Sequence, residues 1–369
     1  MRVGERPGAA LHGALALRTL AIGGLGGAVC MLAGLPAAWL SGAMLAVAVA
    51  ALARVRVAQP QGLRDAFFVV LGITMGAGVR PETLARMGEW PVTMAMLLAT
   101  VVAVLLATYA YQRRVAGWDR ETAYFAAVPG TLGLVMALMQ SYPRAEPVRV
   151  ALAQTVRLFV LVAILPSLIP GDGSLPVPDG PDPQALGPAG LVPFLGVASL
   201  LGWGASRLGV PAGWLTVPFF LSAAANASGL FVVILPPWLV ALSMVGLGSW
   251  IGSRFADVSL ALLARLFTVS LGAFAVGMGI ALAMSGLVAW GLGLPFGQVL
   301  LAFAPGGLEA MTLLAFLLNL DPAFVAAHQL ARYIAMVFLI PPITRRVLGP
   351  PGAAGRSGGG AAEAGGQGR

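Results

Sequence analysis

The chain has 369 residues, of which 59% are hydrophobic and 10% charged, and its mean hydropathy is +0.89. This composition excludes an ordinary soluble globular protein and indicates a polytopic membrane protein. The net charge is +8, but every basic residue is an arginine that stands singly or in a pair, mostly at the end of an apolar run. That placement is typical of membrane topology under the positive-inside rule, so it disfavours a nucleic-acid partner.

Four long stretches carry no charged side chain: residues 19–53, 90–112, 208–253 and 266–308. One bilayer crossing needs about 20 apolar residues, so three of the four are long enough for more than one crossing. The first apolar run begins near residue 13 and has no plausible cleavage site after it, which predicts a retained helix rather than a signal peptide.

The second half of the chain repeats the first at an offset of 174 to 176 residues. Leu-Pro-Ala-Ala-Trp-Leu-Ser at 35–41 returns as Val-Pro-Ala-Gly-Trp-Leu-Thr at 210–216. Four further pairs keep the offset: Gly72–Arg80 with Gly246–Arg254, Pro129-Gly130 with Pro305-Gly306, Gln154-x-x-Arg157 with Gln329-x-x-Arg332, and Pro166 with Pro341. This regularity indicates an internal duplication, a common plan for secondary transporters.

Each half contains six apolar runs, and the Pro-Gly run of each half either crosses the membrane or dips in and returns. In the second arrangement 18 of the 22 arginines fall on the cytoplasmic side, Arg80 and Arg86 fall outside, and Arg157 and Arg332 lie within the membrane. The positive-inside rule favours that arrangement. We therefore predict an all-α membrane protein with about ten transmembrane helices in two inverted repeats of five, each with a Pro-Gly broken or re-entrant helix.

The predicted domain organisation follows from this topology. Membrane repeat 1 takes residues 1–170 and membrane repeat 2 takes residues 190–348. The intervening segment 171–189, rich in Pro and Gly, is predicted to be an external linker, and the Gly-rich segment 349–369 a disordered tail. The protein is expected to be a multi-pass protein of the bacterial inner membrane with both termini in the cytoplasm.

The Pro-Gly breaks are the predicted substrate-binding region, because irregular backbone at membrane depth is tolerated only where protein or a polar cavity satisfies it. Each break is followed by an apolar run with an arginine near its middle and a glutamine three residues earlier, on the same helical face. The predicted substrate-binding residues are Pro129, Gly130, Gln154 and Arg157 in the first half, and Pro305, Gly306, Gly307, Gln329 and Arg332 in the second.

The two mid-run arginines have two interpretations. An arginine at the centre of a transmembrane helix costs about 2.5 to 3.5 kcal/mol to insert, so each must meet a partner inside the protein. One interpretation is that Arg157 and Arg332 bind a ligand. The other is that they bind only the carbonyl groups exposed at the Pro-Gly breaks.

Two further ionisable residues lie near the second break. Glu309 either forms a buried ion pair with Arg332 or carries a proton or binds a cation, and it is our candidate for proton or ion coupling together with His328. His328 alternatively makes only local hydrogen bonds. Two arginines within the membrane face one glutamate, which predicts a small anionic, carboxylate-bearing ligand.

Enzyme functions are disfavoured. With two histidines and one cysteine, no spacing makes a transition-metal site, and no hydrolase or metalloprotease motif occurs. We predict no catalytic residues, no metal and no cofactor. The expected partners are the lipid bilayer and a small anionic molecule, without direct nucleic-acid contact; a homodimer is left open.

These motifs together resemble the AbrB family of bacterial membrane proteins, also found under an ammonia monooxygenase label. The resemblance rests on the duplicated Pro-x-x-Trp-Leu motif, the Gly-x5-Gly-x-Arg stretches, Pro-Gly-Gly-Leu-Glu and the Gln-x-x-Arg pair, and it covers roughly residues 15–347. It implies an integral membrane protein with a duplicated domain and a role in regulation of gene expression. The chain departs from the family pattern at Thr131-Leu132-Gly133, which argues against a mechanism with two carboxylates.

Two functions follow from the sequence. The first is a secondary transporter or exchanger of a small anionic metabolite, in which the arginines and glutamines hold the substrate and Glu309 couples transport to protons. The alternative is a membrane-embedded ligand sensor that regulates gene expression through a partner.

Overall fold

A computed structural model describes residues 9–79, 88, 90–129, 132–169, 185–228, 231, 233–256 and 258–349. Fourteen helices and no β-strand make up this part of the chain. In chain order the helices are α1 Ala9–Leu32, α2 Ala38–Leu52, α3 Gln61–Ala77, α4 Trp90–Arg114, α5 Arg120–Ala127, α6 Leu132–Met139, α7 Pro147–Leu168, α8 Pro188–Arg207, α9 Gly213–Ala227, α10 Pro237–Ser253, α11 Leu260–Leu292, α12 Phe296–Phe303, α13 Leu308–Leu317 and α14 Pro322–Leu348.

Six of the described helices are long and apolar enough to cross a bilayer: α1, α4, α7, α8, α11 and α14. This confirms the all-α prediction and is compatible with a multi-pass membrane protein. Helices α2, α3, α9 and α10 have only 15 or 17 residues. At about 1.5 Å per residue they fall short of a hydrocarbon core of about 30 Å. Helices that short can span the core only where neighbouring protein covers their ends.

The same backbone turn begins both α2 and α9, which start at equivalent positions of the duplication. Gly34 and Gly209 both adopt positive φ angles, of 68° and 78°. Three residues later, Ala37 and Ala212 are also left-handed, with φ angles of 53° and 47°. The two non-glycine residues occupy a conformation that L-residues rarely adopt, so the duplicated motif preserves a turn as well as a sequence.

Helix α3 of the first half packs directly on the backbone of α9 in the second half. A side chain at Gly72 would collide with the carbonyl oxygen of Leu215, and one at Gly76 with the carbonyl oxygen of Phe219. The two glycines are four residues apart and lie on the same face of the helix. Small residues at this spacing let helix backbones approach closely within membranes.

Helix α10 of the second half makes the same kind of contact with α2 of the first half. Gly248 and Gly252 of α10 meet the carbonyl oxygens of Leu40 and Met44 in α2. Such reciprocal contacts are the pattern of a twofold-related pair. By these contacts, Gly248 is the structural equivalent of Gly72. Gly246, which the sequence comparison pairs with Gly72, packs instead against the ring of Phe67.

The first broken helix is a hairpin that starts and ends in the same place. The backbone N–H of Glu146 donates to Thr122 Oγ1 at 2.9 Å, and that of Arg144 donates to Glu121 Oε2 at 2.9 Å. The beginning of α5 therefore lies beside the segment that follows α6. The second broken helix, α12 with α13, closes similarly, since Gly297 near its start packs 3.2 Å from the side chain of Leu320 after its end, measured from a Cβ built on the glycine.

The bases of the two hairpins lie at opposite ends of α14. Leu320, at the base of the second hairpin, precedes the first residue of α14 by two positions. At the other end, Tyr142 of the first hairpin donates its hydroxyl to the carbonyl of Gly349 at 3.0 Å, and Arg120 donates to the carbonyl of Val347. The 27 residues of α14 separate these ends by about 40 Å.

Several sequence predictions lie outside the described residues: Gly130, Arg80, Arg86, most of the linker (171–184) and the tail from residue 350. The division into two membrane repeats and a linker therefore stays a prediction.

The reciprocal glycine contacts give a stability prediction. Gly252→Ala would overpack α10 against the backbone of α2 and should lower the free energy of unfolding by about 1 to 3 kcal/mol. The control is Gly279→Ala in α11, where nothing lies within 4 Å of the new methyl group. That variant should match or exceed wild-type stability, because alanine favours helix by up to about 1 kcal/mol over glycine. Thermal unfolding in detergent measures both, and equal effects would contradict the packing.

Candidate functional site

Proline ends the first half of each broken helix. A residue that precedes proline is pushed out of the helical region, and Val128 and Ala304 accordingly have ψ angles of 119° and 140°. Each of the half-helices α5 and α12 thus stops inside the protein. The last carbonyl groups of a helix have no partner within it and must find one elsewhere.

The two mid-helix arginines bind these carbonyls in both halves. Arg157 Nη2 donates to the carbonyl of Val128 at 3.2 Å. Arg332 Nη1 donates to the carbonyl of Ala304 at 2.7 Å, and its Nη2 donates to the carbonyl of Gly306. A cation at a helix C-terminus is also stabilised by the helix dipole. The structure therefore contains the carbonyl contacts of the second interpretation, in which each arginine binds carbonyl groups exposed at a break.

The glutamines one turn earlier complete the same arrangement. Gln154 Nε2 donates to the carbonyl of Phe125 at 3.4 Å, and Gln329 Nε2 donates to the carbonyl of Leu301 at 2.8 Å. Phe125 and Leu301 occupy equivalent positions, three residues before the equivalent residues Val128 and Ala304. Both halves of the duplication thus use the same amide and guanidinium to cap the same carbonyls.

These capping residues also line a cavity of about 300 Å³. Pro129 and Arg157 reach it from the first half, and Pro305 and Arg332 from the second. The two arginine side chains are almost fully buried, with exposed fractions of 8% and 4%, and they act on each other electrostatically. The two breaks therefore meet at one positively charged space.

Nearly all of the predicted site residues come together at this cavity. The described ones that line it are Pro129, Gln154, Arg157, Pro305, Gly306, Gly307, Glu309, Gln329 and Arg332. Whether they bind a substrate stays a prediction.

Glu309 is partly exposed at the cavity, as the second residue of α13. No ion pair joins its carboxylate to Arg332, although both residues are described. Its electrostatic partner is Arg254, at the end of α10. The alternative that paired Glu309 with Arg332 is thus absent from the structure, and the carboxylate faces the cavity.

His328 does not line the cavity. Its ring is fully buried, with Nε2 2.6 Å from Thr93 Oγ1 and Nδ1 2.8 Å from the carbonyl oxygen of Phe324. The ring stacks on Phe324 with centroids 4.0 Å apart. These contacts are the local hydrogen bonds of the alternative interpretation, and they join α14 to α4.

Sequence reasoning missed a third arginine at the cavity. Arg254 lines it, and its guanidinium lies 4.2 Å from the centroid of Trp250. The sequence indicates only a role for Arg254 in membrane topology, because this arginine follows a long uncharged run. Its place in the duplicated Gly-x5-Gly-x-Arg motif was the available indication of a further role.

A second, much smaller cavity of about 10 Å³ lies behind the first, and the two share Arg157 and Pro305. Thr108, Gln112 and Ser270 line it, and each presents a buried oxygen without a hydrogen-bond partner. A space of this size holds about one water molecule, and such polar neighbours suit it.

Comparison with known proteins agrees with the duplicated motifs. The family model described as "Transition state regulatory protein AbrB" matches residues 39–348. The chain belongs to the AbrB family. It is 27% identical over 323 residues to "Putative regulator AbrB" of Escherichia coli (strain K12), which covers 84% of this chain and 90% of that protein.

A second similar protein comes from another bacterium. The chain is 26% identical over 353 residues to "Uncharacterized protein YhjN" of Bacillus subtilis (strain 168), which covers 88% of this chain and 91% of that protein. No solved structure matches the chain. The family resemblance therefore extends over almost the whole length of both relatives.

The capping glutamines give a matched pair of variants. Gln329→Leu should lower the free energy of unfolding by about 1 to 3 kcal/mol, because it leaves the carbonyls of Leu301 and Ala302 without a donor. Gln154→Leu removes one longer hydrogen bond and should have the smaller effect. Thermal unfolding of the two variants in detergent measures the difference. A larger loss for Gln154→Leu would contradict the capping geometry.

Proposed function

We propose that this protein is a secondary transporter or exchanger of a small anionic metabolite in the bacterial inner membrane, and that it is not an enzyme. The observation that carries the proposal is the cavity where two broken helices meet beside two buried arginines. Secondary transporters commonly bind their substrates at such discontinuous helices, near the middle of the bilayer. Alternating access would then expose this one site to each side in turn.

The proposal includes ten crossings in two inverted repeats of five, with both termini in the cytoplasm. Its support is the placement of the hairpin bases at opposite ends of α14, because hairpins that enter from opposite leaflets require such a separation. The reciprocal contacts of α3 with α9 and of α10 with α2 are the contacts that a twofold relation between the halves predicts. The arginine distribution favours the cytoplasmic orientation of the termini.

An anion is the ligand that the charges of the cavity favour. Arginine donates to carboxylates through a rigid, planar set of N–H groups and stays charged when buried. The volume of about 300 Å³ is at the lower end for small-molecule pockets. Apolar side chains such as Leu158, Leu247 and Met336 line the remainder. A small carboxylate with a hydrocarbon portion suits this combination.

Glu309 is the group we assign to proton coupling. Its carboxylate faces the cavity and is not in an ion pair with Arg332. Protonation would remove a negative charge from the space that receives the anion, so it would favour anion binding. His328, buried away from the cavity, has no part in this proposal.

A ligand sensor that regulates gene expression through a partner is the second candidate. The printed names of the family model and of the Escherichia coli relative both describe regulators, which favours it. The same cavity would serve as the sensing site. Flux of radiolabelled carboxylates in proteoliposomes separates the two functions, because a sensor binds its ligand without moving it across the membrane.

Anion binding is tested by thermal shift of the purified protein with a panel of small mono- and dicarboxylates. At least one should raise the melting temperature of wild type, and Arg332→Gln should abolish that shift. The control is Arg149→Gln, since Arg149 pairs with Glu146 away from the cavity. The ligand-free melting temperature of each variant separates lost binding from lost folding. An undiminished shift in folded Arg332→Gln would overturn the anion site.

The topology is tested by cysteine labelling after Cys30→Ala removes the one native cysteine. Arg144→Cys lies on an exposed turn at the base of the first hairpin, and Asn319→Cys at the base of the second. An impermeant maleimide should label position 144 from the cytoplasmic side and position 319 from the opposite side of sealed vesicles. Labelling of both from one side would contradict the inverted arrangement.

A further inference from the structure

Arg254 changes the charge balance of the cavity. Among the described lining residues, three arginines face one glutamate, which leaves a formal excess of two positive charges while Glu309 is ionised and of three once it is protonated. We propose that the cavity selects an anion with two negative charges and that Arg254 receives the second of them. This inference rests on the proposed anion-binding function and narrows its substrate class to dianions such as short dicarboxylates.

The helix dipoles do not alter this count. Each break presents the C-terminus of one half-helix and the N-terminus of the next, α5 with α6 and α12 with α13. The partial charges at the two ends of a helix are opposite in sign and about half an elementary charge each, so they cancel to first order at each break. The ionised side chains therefore decide the charge of the ligand. An uncompensated buried charge is costly, and a monoanion would leave at least one.

The three arginines form two separate centres of positive charge. Arg157 and Arg332 act on each other and donate to the carbonyls at the breaks. Arg254 comes from the end of a different helix, α10, and its electrostatic partners are Glu309 and Arg64. Two centres suit a ligand whose negative charges lie at its two ends.

The position of Arg254 leaves its hydrogen-bond donors available. The central carbon of its guanidinium lies over Trp250, 4.2 Å from the ring centroid. A cation–π contact does not use up the N–H donors of the cation, and no ion pair or side-chain hydrogen bond of Arg254 occurs among the described residues. The indole ring therefore orients Arg254 without occupying the donors that bind a carboxylate.

Apolar side chains complete the surface that such a ligand would touch. Leu158, Leu247, Ile251 and Met336 line the same cavity as the arginines. They cannot hydrogen-bond to a polar linker, but they pack favourably on methylene groups. The complementary ligand thus has two carboxylates joined by a short hydrocarbon chain.

Matched ligands test the proposal on the purified full-length protein. Butyrate and succinate share a four-carbon skeleton and differ in the second carboxylate, and valerate and glutarate form a longer pair. Wild type should bind the dianion of at least one pair about tenfold more tightly than its monoanion, which is what one charge-assisted hydrogen bond contributes. Arg254→Gln should reduce dianion affinity to the monoanion level and leave monoanion affinity unchanged.

Two further variants separate charge from packing. Arg254→Lys keeps the positive charge and should retain part of the dianion preference. Arg149→Gln is the control, because Arg149 pairs with Glu146 and does not line the cavity. It should leave the preference unchanged.

The outcomes distinguish this inference from the proposed function. Equal affinity for mono- and dianions in wild type, or equal loss of both in Arg254→Gln, overturns dianion selection while leaving anion binding intact. Absence of binding to every carboxylate overturns the proposed function together with this inference. If Arg254→Gln fails to fold, the wild-type affinities for the matched mono- and dianions and the dianion preference of Arg254→Lys decide whether the inference stands.

Discussion

The structure depends on the capping of helix carbonyls inside an apolar environment. A helix broken at proline exposes carbonyl groups that water cannot reach at membrane depth, and each unsatisfied group there is costly. In each half, the next long helix supplies the donors, which are an arginine and a glutamine one turn apart. These side chains donate to carbonyls at equivalent positions in the two halves. The bonds fix the two hairpins, and the hairpin tips bound the cavity.

The duplicated scaffold holds these hairpins against each other. Glycines of α3 and α10 bring each half onto the backbone of the other, so the two halves interlock rather than stand side by side. The long helices α7 and α14 contribute the capping arginines and connect one hairpin base with the other. The capped breaks and the glycine contacts therefore both lie at positions that recur in the two halves of the sequence.

The sequence predicted the helical class, the family, the two breaks and the residues that meet at the cavity, because proline chemistry and charge within apolar runs are local properties. It left the role of Arg157 and Arg332 open, since only coordinates show which carbonyl a guanidinium reaches. His328 could not be assigned from sequence because Thr93, its partner, is 235 positions away. Arg254 was missed for a similar reason: its neighbours in the cavity come from other helices.

In the proposed anion-binding function, the capping role of Arg157 and Arg332 has a mechanical consequence. The two guanidinium groups that anchor the hairpins repel each other across the space they share. A bound anion would screen that repulsion. The two guanidinium groups, and the hairpins that they cap, would then move closer together. Under the proposed anion-binding function, occupancy of the cavity would therefore be linked to the separation of the two hairpins through the same pair of side chains.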